Sequence, residues 1–233
     1  MNSNLCISII IPVLNETENI LSLIDSLEEN SAGFVYEILV VDGGSSDGII
    51  KLLQGDNRVE VLKSKKGRAK QMNYGAQKAK GDILYFLHAD SFPPKNFDLF
   101  IVLYFQKNYL AGCFRLKFKS RHWWLQLAGW LSSINHIYCR GGDQSLYVES
   151  KLFKYLGGYN EDYIIYEDNE FIKRLYKKPR TRFKVIKKPI LTSARRYEKT
   201  GIWKLQKVYF QIYFQQFLGA GPEKLYEHYK KIL

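Results

Sequence analysis

Apolar and polar positions alternate in two different ways along the first half of the chain. Short uninterrupted apolar runs, rich in isoleucine and valine, predict strands that are buried on both faces. The stretches between them carry apolar residues every three or four positions, which predicts amphipathic helices. This order favours βαβ units and a parallel sheet. We expect strands at Ile7–Pro12, Glu37–Asp42, Val59–Leu62 and Ile83–Leu87, and helices at Asn15–Glu29, Ser45–Leu53 and Ala69–Lys80.

The second half of the chain, after Pro93 and Pro94, has a less regular and more aromatic pattern. No internal repeat or low-complexity linker separates it from the first half. We therefore predict a single α/β domain, with a mostly parallel sheet flanked by helices and an amphipathic helix near the C-terminus. The elements predicted here are a strand at Ala111–Lys119 and helices at Trp123–Ile137, Asp168–Lys178 and Trp203–Leu218.

The composition is that of a globular protein, with 46% hydrophobic and 25% charged residues. Cys6, Cys113 and Cys139 are an odd number of cysteines at wide spacing, which predicts neither a disulfide framework nor a zinc site and fits the reducing cytoplasm. The N-terminus lacks the pattern of a secretion signal. The longest uncharged stretch, residues 122–139, is too polar for a membrane-spanning helix, so none is predicted.

Positive charge is the main departure from an average composition. The net charge is +12, and nine Lys or Arg residues fall within Lys173–Lys188, which we call the basic block. Such a block attracts polyanions, whether nucleic acid, phospholipid head groups or a phosphorylated substrate. A solvated basic face without a partner is the alternative interpretation.

Polar residues follow three of the predicted strands, at the carboxyl ends where open α/β sheets bind ligands. The first such segment is Pro12 to Glu16. The second begins at Asp42 in the sequence VVDGGSSDG, where two glycines let the backbone pass close to a ligand and the acid can hold a base or a ribose. The alternative is that Asp42 and Ser45 cap the next helix, with Asp47 as a further capping residue.

The third segment is LHADS, at the end of the fourth predicted strand. Because side chains alternate along an extended segment, His88 and Asp90 are expected to face the same side. There they can bind one divalent cation or the ribose-diphosphate part of a ligand. Mg²⁺ or Mn²⁺ held by a carboxylate would offset the charge on a diphosphate leaving group. The alternative is a hydrogen-bonded pair without a ligand.

An adjacent acid pair, Glu167 and Asp168, opens a predicted helix in the sequence YEDNEFIKRL. One of the two can act as the base that takes a proton from an acceptor hydroxyl. Acids in a first helical turn also complement the helix dipole without any catalytic role. The residues alone leave both interpretations open.

Five segments together resemble, in order and spacing, the family 2 glycosyltransferases with the GT-A fold. They are SIIIPVLNE, EILVVDGGSSDG, KGRAKQMNYGAQKAKGD, ILYFLHADS and YEDNEFIKRL. The forms LHADS, GGDQ and LTSARRYEKTG are most similar to a bacterial subgroup associated with radical-SAM and selenodomain proteins. The resemblance covers residues 5–200. It implies a nucleotide-sugar-binding half over residues 1–91, an acceptor half over 92–200 and a C-terminal helical appendage over 201–233.

The resemblance also implies a role for each matching residue. It assigns Asp168 as the catalytic base with Glu167 beside it, and Asp90 with His88 as the site of a divalent metal, Mn²⁺ or Mg²⁺. The nucleotide-sugar donor would be bound by the loops after the first two strands, by the basic residue before the third helix and by the LHADS segment. The implied donor-binding residues are Pro12, Asn15, Glu16, Asp42, Gly44, Arg68, His88 and Asp90, and the acceptor-side residues are Asp143, Gln144, Arg195 and Arg196.

Two positions depart from the family pattern. Gly43 stands where a second acid usually follows Asp42, and His88 replaces the first acid of the DXD element. The first departure leaves the identity of the nucleotide base open, and for the second we expect a lower metal affinity or a different ribose contact.

The implied function is inverting transfer of a sugar from a nucleotide-sugar donor to an acceptor hydroxyl with metal assistance. A nucleotidyltransferase that makes nucleotide sugars is a rival, but PVLNETENI lacks the glycine-rich loop usual in such enzymes. A non-catalytic module that binds polyanions or membranes is a second rival, resting on the basic block. It leaves the acids at the strand ends unexplained.

The C-terminal predicted helix carries more aromatic residues than one buried stripe requires. With the basic block, this favours an acceptor that is anionic or lipid-linked and a peripheral contact with the cytoplasmic face of a membrane. Core packing or a homodimer contact is the alternative, and nucleic acid is not expected as a partner. The stripe is Ile202, Leu205, Tyr209 and Ile212, and the additional aromatics are Trp203, Tyr213, Phe214 and Phe217.

Overall fold

The computed structural model describes residues 5–140, 144–179 and 181–232. Within these ranges the strands form one eight-stranded sheet. They are β1 (Ile7–Val13), β2 (Val35–Asp42), β3 (Glu60–Lys63), β4 (Ile83–Phe86), β5 (Ser91–Phe92), β6 (Ala111–Phe118), β7 (Leu146–Glu149) and β8 (Phe183–Thr192).

The strand order across the sheet is β3-β2-β1-β4-β7-β6-β8-β5. Strands β3, β2, β1 and β4 are parallel, β7 runs antiparallel between β4 and β6, and β8 is again parallel to β6. The carboxyl ends of β1, β2, β4, β6 and β8 therefore meet at one edge, together with the start of β7. Residues distant in sequence are brought to this edge.

Helices cover both faces of the sheet. The expected α/β architecture, a mostly parallel sheet flanked by helices, is confirmed. None of the helices in the described ranges is both long and apolar enough to span a bilayer. The helices are α1 (Thr17–Asn30), α2 (Ile49–Leu52), α3 (Arg68–Lys78), α4 (Phe97–Gln106), α5 (Trp123–Leu131), α6 (Ser150–Tyr155), α7 (Glu167–Lys177), α8 (Arg195–Thr200), α9 (Ile202–Phe217) and α10 (Pro222–Ile232), with a 3₁₀ turn at Ile137–Cys139.

The central strand β1 is buried on both faces, which explains its uninterrupted apolar run. Ile9 and Ile11 pack into the core with α1 and α4, whereas Ile10 packs on the opposite face with α3. Gly75 makes the second contact possible, because a Cβ at this position would lie 2.6 Å from Cγ2 of Ile10. A larger residue at position 75 would push α3 away from the sheet.

A third cluster of buried residues joins the C-terminal helices to the segment before α7. It contains Tyr166, Val208 and Ile212, together with Leu225 of α10. Helices α9 and α10 therefore pack beside the acid pair of α7 rather than extending away from the domain.

Two predicted helices are shorter in the structure. The segment predicted to be helical from Ser45 contains only the four residues of α2, because side-chain hydrogen bonds hold the residues before it in a loop. Asp42 accepts from the N–H of Ser45, the Ser45 hydroxyl accepts from the N–H of Asn15, and Asp47 accepts from the N–H of Ile49 at the start of α2. The helix predicted to reach Ile137 ends at Leu131, where the hydroxyl of Ser132 donates to a carbonyl of the last turn. The first helix begins at Thr17 after Asn15, which has a φ of 57° and is outside the helix.

Candidate functional site

Side-chain hydrogen bonds connect the loop after β1 to the loop after β2. The carboxylate of Asp42 accepts from the N–H of Gly44 at 3.1 Å and from the N–H and hydroxyl of Ser45 at 3.0 and 2.5 Å. The N–H of Asn15 donates to the Ser45 hydroxyl, and its side-chain oxygen accepts from the N–H of Ser46 at 2.8 Å. Three of the predicted donor-binding residues, Asn15, Asp42 and Gly44, thus form one polar loop cluster at the carboxyl edge.

Gln71 of α3 fills the space beside Gly43. Its amide nitrogen donates to the carbonyls of Val13 and Val41, at 2.8 and 2.7 Å. A Cβ at position 43 would lie 2.8 Å from the side-chain oxygen of Gln71. The missing acid at this position therefore has a local structural reason. Pro12, the remaining residue of the first loop motif, lies within β1 and pairs with Val41.

An ion pair connects the donor-side loop to the end of β8. Nη2 of Arg195 lies 3.1 Å from Oε1 of Glu16, so a predicted acceptor-side residue contacts a predicted donor-side residue. The next residue, Arg196, lines the large cavity described below and donates to the Tyr209 hydroxyl at 3.4 Å. The residues predicted for the acceptor side and for the donor side are therefore adjacent at this point.

His88 and Asp90 lie in a turn rather than in the extended segment that the sequence predicts. The strand β4 ends at Phe86, and the N–H of Ser91 donates to the carbonyl of His88 at 3.1 Å. Period-two alternation therefore does not apply here, and the argument that placed both side chains on one face was wrong. Both remain partly exposed at the carboxyl edge, with Ala89 buried between them.

Within the described ranges no three His, Cys, Asp or Glu side chains come together as a metal-binding group. Mg²⁺ and Mn²⁺ need no such group when one or two protein ligands are completed by water and substrate phosphates. The partly exposed carboxylate of Asp90 and imidazole of His88 fit a site of that kind.

The acid pair divides between two environments at the start of α7. The Glu167 side chain is fully buried and accepts from Nε of Arg68, whereas Asp168 lines the cavity with Oδ2 at 3.5 Å from Nη2 of Arg68. The residue before them, Tyr166, has a φ of 74°, a conformation unusual for a bulky residue. Of the two acids, Asp168 is the one that a ligand in the cavity can reach.

Tyr159 lies close to this acid pair but does not compete with it as a base. Burial raises the pKa of the Tyr159 hydroxyl well above its usual range, and the charges of Asp168 and Glu167 raise it further. The phenol therefore stays neutral near pH 7, and the carboxylates remain the groups able to accept a proton.

A cavity of about 570 Å³ opens in front of Asp168. Its walls come from α5, α7, α8, α9 and α10, and tyrosines dominate the lining. The i, i+4 spacing of Tyr209 and Tyr213 indicates one helix face, but nothing in the sequence places that face beside α7. The lining residues that the sequence analysis did not assign to a site include Arg140, Tyr166, Tyr209, Tyr213, Tyr226 and Tyr229.

The other predicted acceptor-side residues are placed differently. Gln144 is buried, and its amide nitrogen donates to the carbonyl of Ser132 at 3.4 Å. It is absent from the cavity lining among the described residues. Asp143 lies outside the described residues.

The basic block does not form a single free face. Arg174 pairs with Glu170 at 2.6 Å and donates to backbone carbonyls, and Lys184 lies over the ring of Tyr104 at 4.4 Å. The block is divided between α7 and β8. Part of its charge therefore serves contacts within the domain.

Comparison with known proteins gives a family match over residues 8–149, to the model described as Glycosyl transferase family 2. The chain is 34% identical over 94 residues to glycosyltransferase AglE of Haloferax volcanii, covering 37% of this chain and 31% of that protein. It is 35% identical over 97 residues to the undecaprenyl-phosphate 4-deoxy-4-formamido-L-arabinose transferase of Pseudomonas fluorescens, covering 36% and 28%. The chain thus spans less than a third of the length of either curated relative.

Solved structures resemble a larger part of the chain. TarS of S. aureus in complex with UDP-GlcNAc has a TM-score of 0.66 at 18% identity, covering 81% of this chain and 58% of that chain. The mannosyltransferase PcManGT of Pyrobaculum calidifontis, in complex with GDP-Man and Mn²⁺, has a TM-score of 0.65 at 17% identity, covering 92% and 64%. At these identities the likeness establishes a shared fold.

Proposed function

Because the chain belongs to glycosyl transferase family 2, with the GT-A fold, we propose that this glycosyltransferase moves a sugar from a nucleotide-sugar donor to an acceptor hydroxyl with inversion. The observation that carries the proposal is the division of the acid pair. Glu167 is buried against Arg68, whereas Asp168 faces the cavity. Family membership favours sugar transfer over the synthesis of nucleotide sugars.

In the proposed reaction, Asp168 takes the proton of the acceptor hydroxyl. The hydroxyl oxygen attacks the anomeric carbon from the side opposite the diphosphate, and the bond from that carbon to the diphosphate oxygen breaks. The electron pair of this bond leaves with the nucleoside diphosphate, and the configuration of the sugar inverts. Arg68 acts as a positioning residue, because it contacts both carboxylates and joins α3 to α7.

The donor end of the site is proposed at the carboxyl edge of β1, β2 and β4. Asn15, Asp42 and Gly44 would hold the base and ribose, since their loop cluster brings carboxylate, amide and backbone N–H groups to that edge. Asp90 and His88 would hold Mn²⁺ or Mg²⁺. When bound, this cation would supply positive charge opposite the diphosphate leaving group. The same ion is present in the structure of PcManGT.

We further propose that the protein contacts an acidic membrane surface through α5 and α9. Trp123 of α5 and Trp203 of α9 are 61% and 57% exposed, with ring centroids 6.0 Å apart. Phe210 and Phe214 continue the exposed surface along α9. Lys207 is exposed on the same helix. Tryptophan beside basic residues is typical of membrane interfaces, and this surface favours a membrane over a homodimer as the partner.

The acceptor would then be anionic or lipid-linked. The name of the undecaprenyl-phosphate transferase of Pseudomonas fluorescens implies such an acceptor for that relative. The forms LHADS and LTSARRYEKTG support placement in the radical-SAM and selenodomain-associated subgroup.

The testing experiment screens UDP-, GDP- and dTDP-sugars for donor hydrolysis with and without Mn²⁺, in the wild-type protein and in Asp168→Asn. Loss of the base should lower turnover by about 10²- to 10⁴-fold and leave donor affinity near its wild-type value. Glu167→Gln is the matched comparison and should lower turnover less. A larger loss in Glu167→Gln would move the base by one residue, and absence of hydrolysis with every donor would count against the function.

A further inference from the structure

The cavity beside Asp168 has an apolar and aromatic lining that a purely polar acceptor does not need. Leu116, Phe118, Ala128 and Ile212 line it in addition to the tyrosines. Its volume of about 570 Å³ lies within the range of sites that enclose a small organic ligand. A bound apolar group that covers these walls removes apolar surface from water, which stabilises the complex by about 25 cal/mol per Å² of apolar surface buried.

Charged and amide groups line the cavity at the proposed catalytic site, and further polar lining residues are Ser132, Arg140, Arg196 and Gln206. Asp168, Asn169 and Arg68 belong to α7 and α3, whereas Tyr226 and Tyr229 belong to α10. Asn169 also accepts from the Tyr213 hydroxyl at 3.2 Å, which fixes α9 against α7. A ligand that fills the cavity would thus have one end among polar groups and the other among aromatic rings.

The rim of the cavity is also apolar. Leu131, Tyr138 and Ile164 line the cavity and are 36%, 71% and 53% exposed. Leu131 lies on α5, which also carries the exposed Trp123 and Trp130. The apolar wall therefore continues from the interior of the cavity to the outer surface of the domain.

We infer that the acceptor is an amphiphile, with its reacting hydroxyl at Asp168 and an apolar chain or ring body between α5, α9 and α10. This inference rests on the proposed function, because it names the substrate class of the same site. The apolar body can belong to a membrane lipid or to a free molecule, and the chemistry that the cavity recognises is the same for both.

The test compares binding of decyl β-D-glucoside, kept below its micelle-forming concentration, with binding of methyl β-D-glucoside by calorimetry. The two probes differ only in the alkyl chain. Each buried methylene contributes about 0.8 kcal/mol, so a chain that enters the cavity should make the decyl compound bind at least about tenfold more tightly. Equal affinities of the two probes in solution, together with no binding of the decyl compound after its incorporation into phosphatidylcholine vesicles, would overturn the inference.

Two variants locate the binding. Ala128→Leu reduces the space inside the cavity, and Ile164→Asp places a charge on the exposed rim, where it should not disturb folding. Both should weaken binding of the decyl compound. The matched control is Ala32→Leu, which makes the same alanine-to-leucine change at an exposed position between α1 and β2. It should leave binding of the decyl compound unchanged. Weakening in Trp203→Ala but in neither cavity variant would place the chain on the outer surface and reject the inference.

Two further measurements complete the test. The first distinguishes a membrane lipid from a free amphiphile as the source of the ligand, and the second distinguishes failure of this inference from failure of the proposed function. Binding of the decyl compound as a monomer supports a free amphiphile, whereas binding only after its incorporation into phosphatidylcholine vesicles supports a membrane lipid. Both outcomes support the inference. Donor hydrolysis by the wild-type protein is measured without acceptor, so its absence would reject the proposed function and leave the binding result to decide the inference.

Discussion

Replacing Arg68 by methionine tests whether the contact between α3 and α7 holds the acid pair in place. The Glu167 side chain is fully buried, and the Arg68 guanidinium contacts Glu167 and lies 3.5 Å from Asp168. Methionine keeps much of the apolar stem but leaves a buried carboxylate without its partner. Breaking a buried ion pair in this way costs about 3 to 5 kcal/mol.

The lower end of that range is expected, because the Arg68 side chain is 31% exposed and water can reach the vacated space. A loss of about 3 kcal/mol corresponds to a midpoint of thermal unfolding lower by about 6 to 12 °C for a chain of this size. The assay is thermal unfolding at neutral pH followed by circular dichroism. The double variant Arg68→Met/Glu167→Gln should recover part of the loss, because the fully buried side chain of residue 167 is then neutral.

Arg58→Met is the control. Arg58 pairs with Asp25, Glu28 and Asp56 at the surface, where such pairs contribute about 0 to 1 kcal/mol each. The midpoint of thermal unfolding should therefore fall less in Arg58→Met than in Arg68→Met. If Arg68→Met unfolded at the wild-type temperature and lost donor affinity, Arg68 would be a donor contact and the structural role would be refuted.

Three further changes test other parts of the site. Asp90→Ala should remove the Mn²⁺ dependence of donor binding in calorimetry and His88→Asp should retain it, so an unchanged dependence in Asp90→Ala would reject the metal assignment. Gly43→Ala should lower the free energy of unfolding in urea by about 1 to 3 kcal/mol, because the added Cβ would meet the Gln71 amide at 2.8 Å; wild-type stability would show that Gln71 can move. Vesicles with acidic lipids should retain the protein at low salt and release it as salt rises, with weaker retention of Trp203→Ser. Equal retention by neutral vesicles would argue against charge attraction, and a concentration-dependent dimer without vesicle binding would assign the surface to self-association.

The first half of the fold was predictable because its central strands β1, β2 and β4 contain runs that are buried on both faces. An uninterrupted run such as ILVV in β2 has one structural explanation in a domain of this size, and ligand sites follow from the carboxyl ends of such strands. The local geometry was less predictable. LHADS forms a turn, and the loop cluster of Asp42 shortens α2, because side-chain hydrogen bonds compete with regular structure there.

The second half resisted prediction for different physical reasons. Helix α4, with the sequence FDLFIVLYFQ, is apolar on most sides and shows no clear helical period. Strand β8 contains three lysines and Pro189, and a register shift interrupts its pairing with β6. The cavity is lined in part by tyrosines of α9 and α10, which only tertiary packing brings to Asp168. No local pattern reports such an arrangement.

The position of β7 has a consequence for how the protein is made. Strand β4, buried along its whole length, obtains its neighbour on one side from β1 and on the other only from β7. During synthesis one edge of this apolar strand therefore stays unpaired until residue 146 has been added. At about 5 to 20 residues per second this interval lasts several seconds. An unpaired apolar edge promotes association between chains, so a fragment ending near residue 91 should aggregate, and the nascent chain is a natural client for chaperones.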